Sequence, residues 1–138
     1  PGSKILEIGS GSGYAAALLG AMGASVTAVE FHPELARSSA ERLRRLQYTT
    51  VRQLQGDGLR SAFRREFDGV LVSTAITEFP ERLWRALIPR GRLVCPIRVQ
   101  SLYSRSPRPS AVERQYLYLF QQGQDAIALS ECSFVLAA

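Results

Sequence analysis

Short apolar segments alternate with amphipathic segments along this chain, and glycines or prolines separate them. The apolar segments are rich in β-branched and aliphatic residues, which is typical of buried strands. An alanine- and leucine-rich segment at residues 14–22 ends at Gly23, and Pro33 begins a second segment with an aliphatic stripe; both are predicted to be helices. A further helix is predicted to begin at Pro80. The predicted strands are residues 4–8, 25–29, 51–55, 68–73 and 92–97.

This alternation predicts an α/β fold in which one domain covers residues 1–138. Strands and helices at this spacing favour βαβ units, whose right-handed crossovers give a Rossmann-like, doubly wound and mostly parallel sheet. Residues 98–114 are rich in serine, proline and arginine and are predicted to form a flexible loop. Residues 115–121 and 126–136 flank a short polar gap that contains Gly123. They predict an antiparallel hairpin that completes a seven-stranded sheet.

Composition supports a globular domain and excludes several other classes of protein. Of the 138 residues, 46% are hydrophobic and 21% are charged, which excludes a mostly disordered chain. The longest small or apolar run, residues 15–24, is shorter than the roughly 18 residues that indicate a transmembrane helix. The first residues show no basic-then-apolar segment of the kind expected for a secretory signal. Because the chain begins with Pro1 and not with methionine, we expect it to be a piece of a longer protein.

The charge distribution and the cysteine content bear on possible partners, metal sites and the cellular compartment. The formal net charge is +5, but the arginines are scattered and form no binding tail, so nucleic acid is not favoured as a partner. Cys95 and Cys132 lie far apart in the sequence, and His32 is the only histidine, so no metal site is predicted. Free cysteines suit a reducing compartment. We therefore expect a cytoplasmic monomer with no membrane partner.

A glycine-rich turn, E-I-G-S-G-S-G at residues 7–13, joins the first predicted strand to the first helix. Glycines at this position permit a tight turn and close approach of a ligand to the backbone amides of the helix N-terminus. Glu30 ends the second strand about 20 residues after Gly9, where an acidic side chain accepts hydrogen bonds from ribose hydroxyls. The sequence therefore favours a cofactor that contains a nucleoside.

The details of the turn favour S-adenosylmethionine over a nicotinamide dinucleotide. A dinucleotide fingerprint has the spacing G-x-G-x-x-G, but the position of its third glycine is held by Tyr14. Glu7 places a negative charge two residues before the first glycine, which suits a cationic ligand better than a pyrophosphate. The sulfonium and amino groups of S-adenosylmethionine are both positive.

Residues 7–13 resemble motif I of the class I S-adenosylmethionine-dependent methyltransferases. Further segments are similar to the protein-L-isoaspartate O-methyltransferase family in particular: V-E-F-H-P-E-L-A at 29–36, G-D-G at 56–58 and L-I-P-R-G-R-L-V-C-P at 87–96. The final F-V-L at 134–136 is similar to the closing F-V-P-L of that family. The resemblance is close over residues 1–97, weak over 115–138 and absent over 98–114.

The resemblance implies a set of site residues. The glycine-rich turn is expected to wrap the methionine portion of the cofactor, Glu30 to hold the ribose hydroxyls, and Asp57 with Gly58 to flank the adenine. The loop after the fourth strand is similar to the family's loop beside the methyl acceptor, although a hydrogen-bonding role without chemistry suits its hydroxyls equally well. The expected cofactor-binding residues are Glu7, Gly9, Ser10, Gly11, Ser12, Gly13, Glu30, Phe31, Asp57 and Gly58, and the expected acceptor-positioning residues are Ser73 and Thr74.

The function that the resemblance implies is methyl transfer from S-adenosylmethionine to the carboxylate of L-isoaspartyl residues in damaged proteins. Two alternatives remain open: a cofactor-binding module without activity, and a methyltransferase that acts on RNA or a small molecule. The family also has an N-terminal portion before the first strand that covers the cofactor. We therefore expect the 138-residue chain alone to bind the cofactor but to transfer methyl groups poorly.

Overall fold

In the computed structural model, which describes residues 1–100 and 113–137, a seven-stranded sheet forms the centre of the chain. The helices among the described residues are α1 (Tyr14–Ala21), α2 (Pro33–Arg45) and α3 (Glu81–Arg85). The strands in chain order are β1 (Lys4–Ile8), β2 (Ser25–Glu30), β3 (Val51–Gln55), β4 (Phe67–Val72), β5 (Leu87–Gln100), β6 (Glu113–Gln121) and β7 (Ile127–Cys132).

The strand order is β3-β2-β1-β4-β5-β6-β7. Strands β1 to β5 pair in parallel with one another, whereas β6 pairs antiparallel with both β5 and β7. The predicted sheet and its antiparallel end are therefore confirmed. Strand β2 lies on one side of β1 and β4 lies on the other, so the strand order reverses between β1 and β4. A crevice is expected at the carboxyl ends of these two strands.

Helices cover both faces of the sheet because side chains alternate along each strand. Leu6 and Ile8 of β1 belong to a buried cluster that includes Leu83 of α3. Ile5, whose side chain points to the opposite face, packs with a second cluster that contains Ala16 of α1. The sheet is doubly wound, as the alternation of strands and helices predicts.

Local sequence explains where the two longer helices begin and end. Gly13 precedes α1 with a φ of +80°, and Gly23 follows it with a φ of +90°; glycine adopts both conformations without the strain of a side chain. Pro33 occupies the first turn of α2, where its missing amide costs no hydrogen bond. Arginines in the last turn of α2 interact favourably with the negative end of the helix dipole.

The strands extend further into the predicted loop at 98–114 than its composition indicates. Residues 98–100 belong to β5 and residues 113–114 to β6, with Arg98 opposite Gln115 and Val99 opposite Arg114. Pairing between the two antiparallel strands provides hydrogen-bond partners for the backbone N–H and C=O groups of these residues, and this pairing does not depend on side-chain type. The rest of the predicted loop, 101–112, lies outside the described residues. The second hairpin strand is shorter than predicted, because β7 ends at Cys132 and residues 135–137 reach the end of β4 instead.

No helix in residues 1–100 and 113–137 combines the length and apolar character needed to cross a membrane. Cys95 and Cys132 are free thiols, and Cys95 is fully buried. Among the described residues, no three histidine, cysteine or acidic side chains come together as a candidate metal site.

Candidate functional site

The glycine-rich turn folds back against the end of β4. Gly9 and Gly11 adopt φ values of +80° and +53°, which favour glycine. The Gly9 amide donates a hydrogen bond to the carbonyl of Val29 at 2.8 Å. A Cβ at Gly9 would lie 3.2 Å from the Cβ of Thr74, a tight contact that adds to the preference for glycine at this position.

Glu30, at the end of β2, anchors this turn. Its carboxylate is almost fully buried, and Oε2 accepts a hydrogen bond from the Gly11 amide at 2.8 Å. Oε1 accepts one from the His32 amide at 2.9 Å. A carboxylate has about four acceptor positions, so lone pairs remain for ligand hydroxyls.

Asp57 and Gly58 follow β3 on the same edge of the sheet. The carboxylate of Asp57 is about one-third exposed; Oδ1 accepts a hydrogen bond from the Arg60 amide at 3.2 Å, and Oδ2 lies 3.7 Å from the Arg60 Nε. Gly58 lies directly over β1, where a Cβ would come within 2.6 Å of the Ile8 Cδ1. The absence of a side chain at Gly58 therefore lets this loop close over the sheet.

The loop after β4 carries Ser73 and Thr74, and both hydroxyls have protein partners. The Ser73 Oγ donates to the Glu7 Oε1 at 3.0 Å, and the Thr74 Oγ1 donates to the carbonyl of Val135 at 2.8 Å. Glu7 is fully buried, and its Oε2 has no hydrogen-bond partner among the described residues. Burial raises the pKa of Glu7, and the nearby charge of Glu30 adds to this, while the hydrogen bond from Ser73 acts in the opposite direction.

These loops enclose a cavity of about 310 Å³ at the carboxyl ends of β1 to β4, a size typical of small-molecule sites. Apolar side chains of Ile8, Val29 and Leu59 form part of its wall. The sequence-predicted residues that the structure brings together around this cavity are Gly9, Gly11, Glu30, Phe31, Asp57, Gly58, Ser73 and Thr74.

Four other predicted residues lie outside the cavity lining. Glu7 is buried beneath it and reaches it only through Ser73. Ser10 exchanges hydrogen bonds with the side chain of Gln53, at 2.9 and 3.1 Å. The carbonyl of Ser12 accepts a hydrogen bond from Arg42, and a Cβ at Gly13 would meet the Ser39 Cβ at 3.2 Å. Ser10, Ser12 and Gly13 therefore support the turn against β3 and α2.

Sequence reasoning missed a second group of lining residues. His32 and Leu35 lie at the start of α2, directly after Phe31, and the resemblance at 29–36 was the available signal for them. Residues 135–137 come from the far end of the chain. The Ala75 amide donates to the Val135 carbonyl at 2.8 Å, and the Ala137 amide donates to the Ala75 carbonyl at 2.9 Å, so this segment is held along one side of the cavity.

Comparison with known proteins gives a consistent result. The family model described as Protein-L-isoaspartate(D-aspartate) O-methyltransferase (PCMT) matches residues 1–125. A protein-L-isoaspartate O-methyltransferase of Koribacter versatilis (strain Ellin345) is 42% identical over 107 residues, which are 75% of this chain and 48% of that protein. The protein-L-isoaspartate O-methyltransferase 1 of Cupriavidus necator is 36% identical over 126 residues, 91% of this chain and 44% of that protein. The chain thus spans about half the length of these curated relatives.

Solved structures share the fold. A protein-L-isoaspartate O-methyltransferase matches with a TM-score of 0.82 and 25% identity, over 99% of this chain and 42% of that one. A putative protein-L-isoaspartate O-methyltransferase from Plasmodium falciparum, in complex with S-adenosyl-L-homocysteine, matches with a TM-score of 0.67 and 22% identity, over 99% of this chain and 66% of that one.

Proposed function

The chain belongs to the protein-L-isoaspartate O-methyltransferase family, and we propose that it binds S-adenosylmethionine and transfers its methyl group to the carboxylate of L-isoaspartyl residues in damaged proteins. The observation that carries the proposal is the cavity at the carboxyl ends of β1 to β4. Gly9, Glu30 and Asp57, from three different strand ends, line it together. Ligands of doubly wound sheets bind at this edge, beside the point where the strand order reverses.

The lining residues fit an adenosyl group. Glu30 retains acceptor positions for two ribose hydroxyls, and Asp57 offers an acceptor for an adenine amino group. The apolar side chains of Ile8, Val29 and Leu59 suit the faces of a purine. When bound, the cofactor supplies a methyl group that its positively charged sulfur activates for transfer.

The strand order supports one direction for such a ligand along the edge of the sheet. Along the edge, β3 carries Asp57, β2 carries Glu30, β1 leads into Gly9 and β4 leads into Ser73. Neighbouring strands are about 4.8 Å apart, so this row spans roughly three strand spacings. Adenine then lies over β3, ribose over β2, and the methionine end beside β1 and β4.

The reaction depends on orientation of the cofactor and the acceptor more than on acid–base catalysis. The free carboxylate of an isoaspartyl residue is its α-carboxylate, which has a pKa of about 3.3–3.7 and is already ionised at neutral pH, so no general base is needed. Alignment of the acceptor oxygen, the methyl carbon and the sulfur supplies roughly 7–11 kcal/mol of the barrier reduction. The glycine-rich turn, which Glu30 holds through the Gly11 amide, would position the cofactor for that alignment.

The test is transfer of tritiated methyl groups by the full-length protein. We expect label to enter a peptide that contains L-isoaspartate, and not the matched aspartyl peptide, in a form that base removes, because a carboxyl methyl ester is base-labile. Label in tRNA, or in a base-stable product, would instead favour the RNA or small-molecule alternatives. Binding of S-adenosylhomocysteine without transfer to any acceptor would identify a module without activity.

We also propose that the protein is a cytoplasmic monomer whose partners are isoaspartyl-containing proteins, with no nucleic-acid or membrane partner. The free thiols of Cys95 and Cys132 support a reducing compartment. Scattered arginines support the absence of a nucleic-acid surface. Light scattering of the full-length protein, with and without tRNA, tests the mass and the partner together.

A further inference from the structure

A second cavity lies at the edge of the sheet opposite the candidate cofactor site. Its volume is about 390 Å³, which is within the range of small-molecule sites. It lies where β4 and β5 begin and β6 ends, because Arg65 precedes β4, Leu87 begins β5 and Gln122 follows β6. None of the residues assigned above to the cofactor or to the methyl acceptor lines it.

The lining of this second cavity is positively charged. Arg65 and Arg85 both line it, and no acidic side chain among the described residues does so. Arg85 forms a surface ion pair with Glu81 at 3.1 Å, whereas Arg65 forms no ion pair within the part of the chain that the structure describes. The candidate cofactor site, by contrast, is lined by Glu30 and Asp57. The two cavities therefore favour ligands of opposite charge.

Arg65 is held in an orientation that suits an anion. Its Nε donates a hydrogen bond to the Leu87 carbonyl at 2.9 Å, and the side chain makes no other hydrogen bond to a described residue. The two Nη atoms therefore remain as a pair of donors, and a guanidinium binds the oxygens of a carboxylate or a phosphate with two such donors. Because the contact with Leu87 orients the guanidinium in advance, less side-chain freedom is lost when an anion binds.

An apolar wall lies beside these arginines. Trp84 lines the cavity, and an edge-to-face contact with Phe79, with ring centroids 5.7 Å apart, holds the indole ring in place. Leu87 and Ile88 add aliphatic surface. A Cβ at Gly91 would lie 2.9 Å from the Leu87 Cδ2, so a glycine allows this turn to pack closely. A ligand that fits this cavity therefore combines an anionic group with a flat apolar body.

We propose that this second cavity is a binding site for a small organic anion in which a carboxylate or phosphate group is attached to an aromatic ring. Arg65 binds the anionic group, Arg85 adds to the positive potential, and Trp84 packs against the ring. The site lies at the opposite edge of the sheet from the candidate cofactor site, so the inference goes beyond the proposed function and does not depend on it.

The experiment observes this cavity through Trp84, the only tryptophan in the 138 residues. The full-length protein is labelled with 5-fluorotryptophan, and the fluorine NMR signal of Trp84 is identified by its absence from Trp84→Phe. The probes are benzoate and phenyl phosphate, which carry the two anionic groups, benzamide, which is the neutral counterpart of benzoate, and inorganic phosphate, which lacks the ring.

We expect the Trp84 signal to shift saturably with benzoate or phenyl phosphate, with a Kd of about 1 mM for a probe of this size. The probe that binds more tightly identifies the anionic group. Benzamide and inorganic phosphate are expected to bind about tenfold or more weakly, because each lacks one of the two features that the cavity recognises.

Arg65→Gln is expected to weaken binding of the aromatic anion about tenfold, the lower end for hydrogen bonds to charged groups because Arg65 is exposed. Arg64→Gln is the matched control, since Arg64 is adjacent, also exposed and does not line the cavity. Arg85→Gln is the second variant, and it still tests the charge of the cavity if Arg65→Gln fails to fold. Affinity for S-adenosylhomocysteine is expected to stay at the wild-type value in both variants.

Three results would overturn the inference and leave the proposed function standing. They are the absence of a saturable shift with either aromatic anion, equally tight binding of benzamide or inorganic phosphate, and an equal loss of affinity in the lining variants and in Arg64→Gln. A parallel loss of S-adenosylhomocysteine affinity in the lining variants would contradict a separate site.

Discussion

The carboxylate of Glu30 accepts a hydrogen bond from the backbone amide of Gly11 at 2.8 Å, so a side chain at the end of β2 holds the turn that follows β1. Its second oxygen accepts from the His32 amide at 2.9 Å. In a Glu30→Gln variant, one of these amides faces an NH2 group instead of an oxygen. We expect at least a tenfold loss of S-adenosylhomocysteine affinity and about 1 kcal/mol lower free energy of unfolding, because a partly buried amide loses its acceptor.

Calorimetric titration and urea unfolding measure these two quantities. Glu41→Gln is the matched control, because Glu41 is exposed on α2 and does not line the cavity. A Glu30→Gln protein with wild-type affinity would contradict the role of this carboxylate in holding the cofactor.

Gly58 offers a test of packing beneath the cavity. A Cβ at Gly58 would lie 2.6 Å from the Ile8 Cδ1 and 3.3 Å from the Val29 Cγ1, both of which belong to buried residues. Gly58→Ala therefore overpacks the core, and we expect the free energy of unfolding to fall by about 1–3 kcal/mol. Gly56→Ala is the control, because nothing lies within 4 Å of the added Cβ. Urea unfolding measures both stabilities, and an equal loss of stability in the two variants would contradict the packing argument.

The sequence allowed prediction of those site residues that lie where parallel strands end. Gly9, Glu30 and Asp57 each follow a strand that short-range patterns reveal, and the carboxyl ends of parallel strands necessarily share an edge. The position of Val135 was beyond such reasoning. Its backbone pairs with Ala75, 60 positions earlier, and a backbone hydrogen bond leaves no signature in side-chain type.

Glu7 illustrates a different limit of prediction from the sequence. Strand alternation places its side chain on the face of the sheet opposite to that of Leu6 and Ile8, and Glu7 does not line the cavity, although the motif suggested contact with a ligand. Only the structure reveals that Ser73 connects Glu7 to the cavity, because that hydrogen bond joins β1 to the end of β4.

The buried carboxyl of Glu7 predicts a pH-dependent difference in stability. Burial raises the pKa of Glu7 in the folded state above its ordinary value of 4.5, so the folded protein binds this proton more tightly than the unfolded chain. The stability that protonated Glu7 contributes is fully present below the ordinary pKa, and it is lost as pH rises through the raised pKa. Glu7→Gln stays neutral throughout. We therefore expect the free energy of unfolding of Glu7→Gln, relative to wild type, to increase with pH from about 4.5 upward.

Urea unfolding of both proteins between pH 4 and 8 gives this difference directly. Glu81→Gln is the control, since Glu81 lies exposed on α3 and pairs with Arg85 at the surface. A stability difference between Glu7→Gln and wild type that does not vary with pH would show that Glu7 titrates normally.

Thr74 fixes the segment at 135–137 along the cavity through its hydrogen bond to the Val135 carbonyl. Thr74→Val keeps the shape of the side chain and removes the donor. We expect faster amide hydrogen exchange at Ala137 and a 2- to 12-fold loss of S-adenosylhomocysteine affinity, which corresponds to a net hydrogen bond of about 0.5–1.5 kcal/mol. Thr49→Val, at an exposed position away from the cavity, is the control. Unchanged exchange at Ala137 would mean that backbone pairing alone holds this segment.

The two cysteines report separately on unfolding and on ligand binding. Cys95 is fully buried, and desolvation raises the pKa of its thiol to about 12, so the folded protein offers almost no reactive thiolate there. Cys132 lies at the end of the edge strand β7 and is only partly buried. With a disulfide reagent at pH 8, we expect Cys132 to react first and Cys95 to react only when the sheet unfolds.

Ligand binding should then slow the labelling of Cys95 alone. A ligand that binds only the folded state stabilises it by about 2.7 kcal/mol at a concentration of 100 Kd, which lowers the unfolded population about 100-fold. S-adenosylhomocysteine at that concentration is expected to slow the reaction of Cys95 by this factor and to leave Cys132 unchanged. Mass spectrometry of the labelled peptides distinguishes the two sites. Rapid labelling of Cys95 in the free protein would contradict its burial in the sheet, and an unchanged rate with ligand would show that S-adenosylhomocysteine does not stabilise the fold.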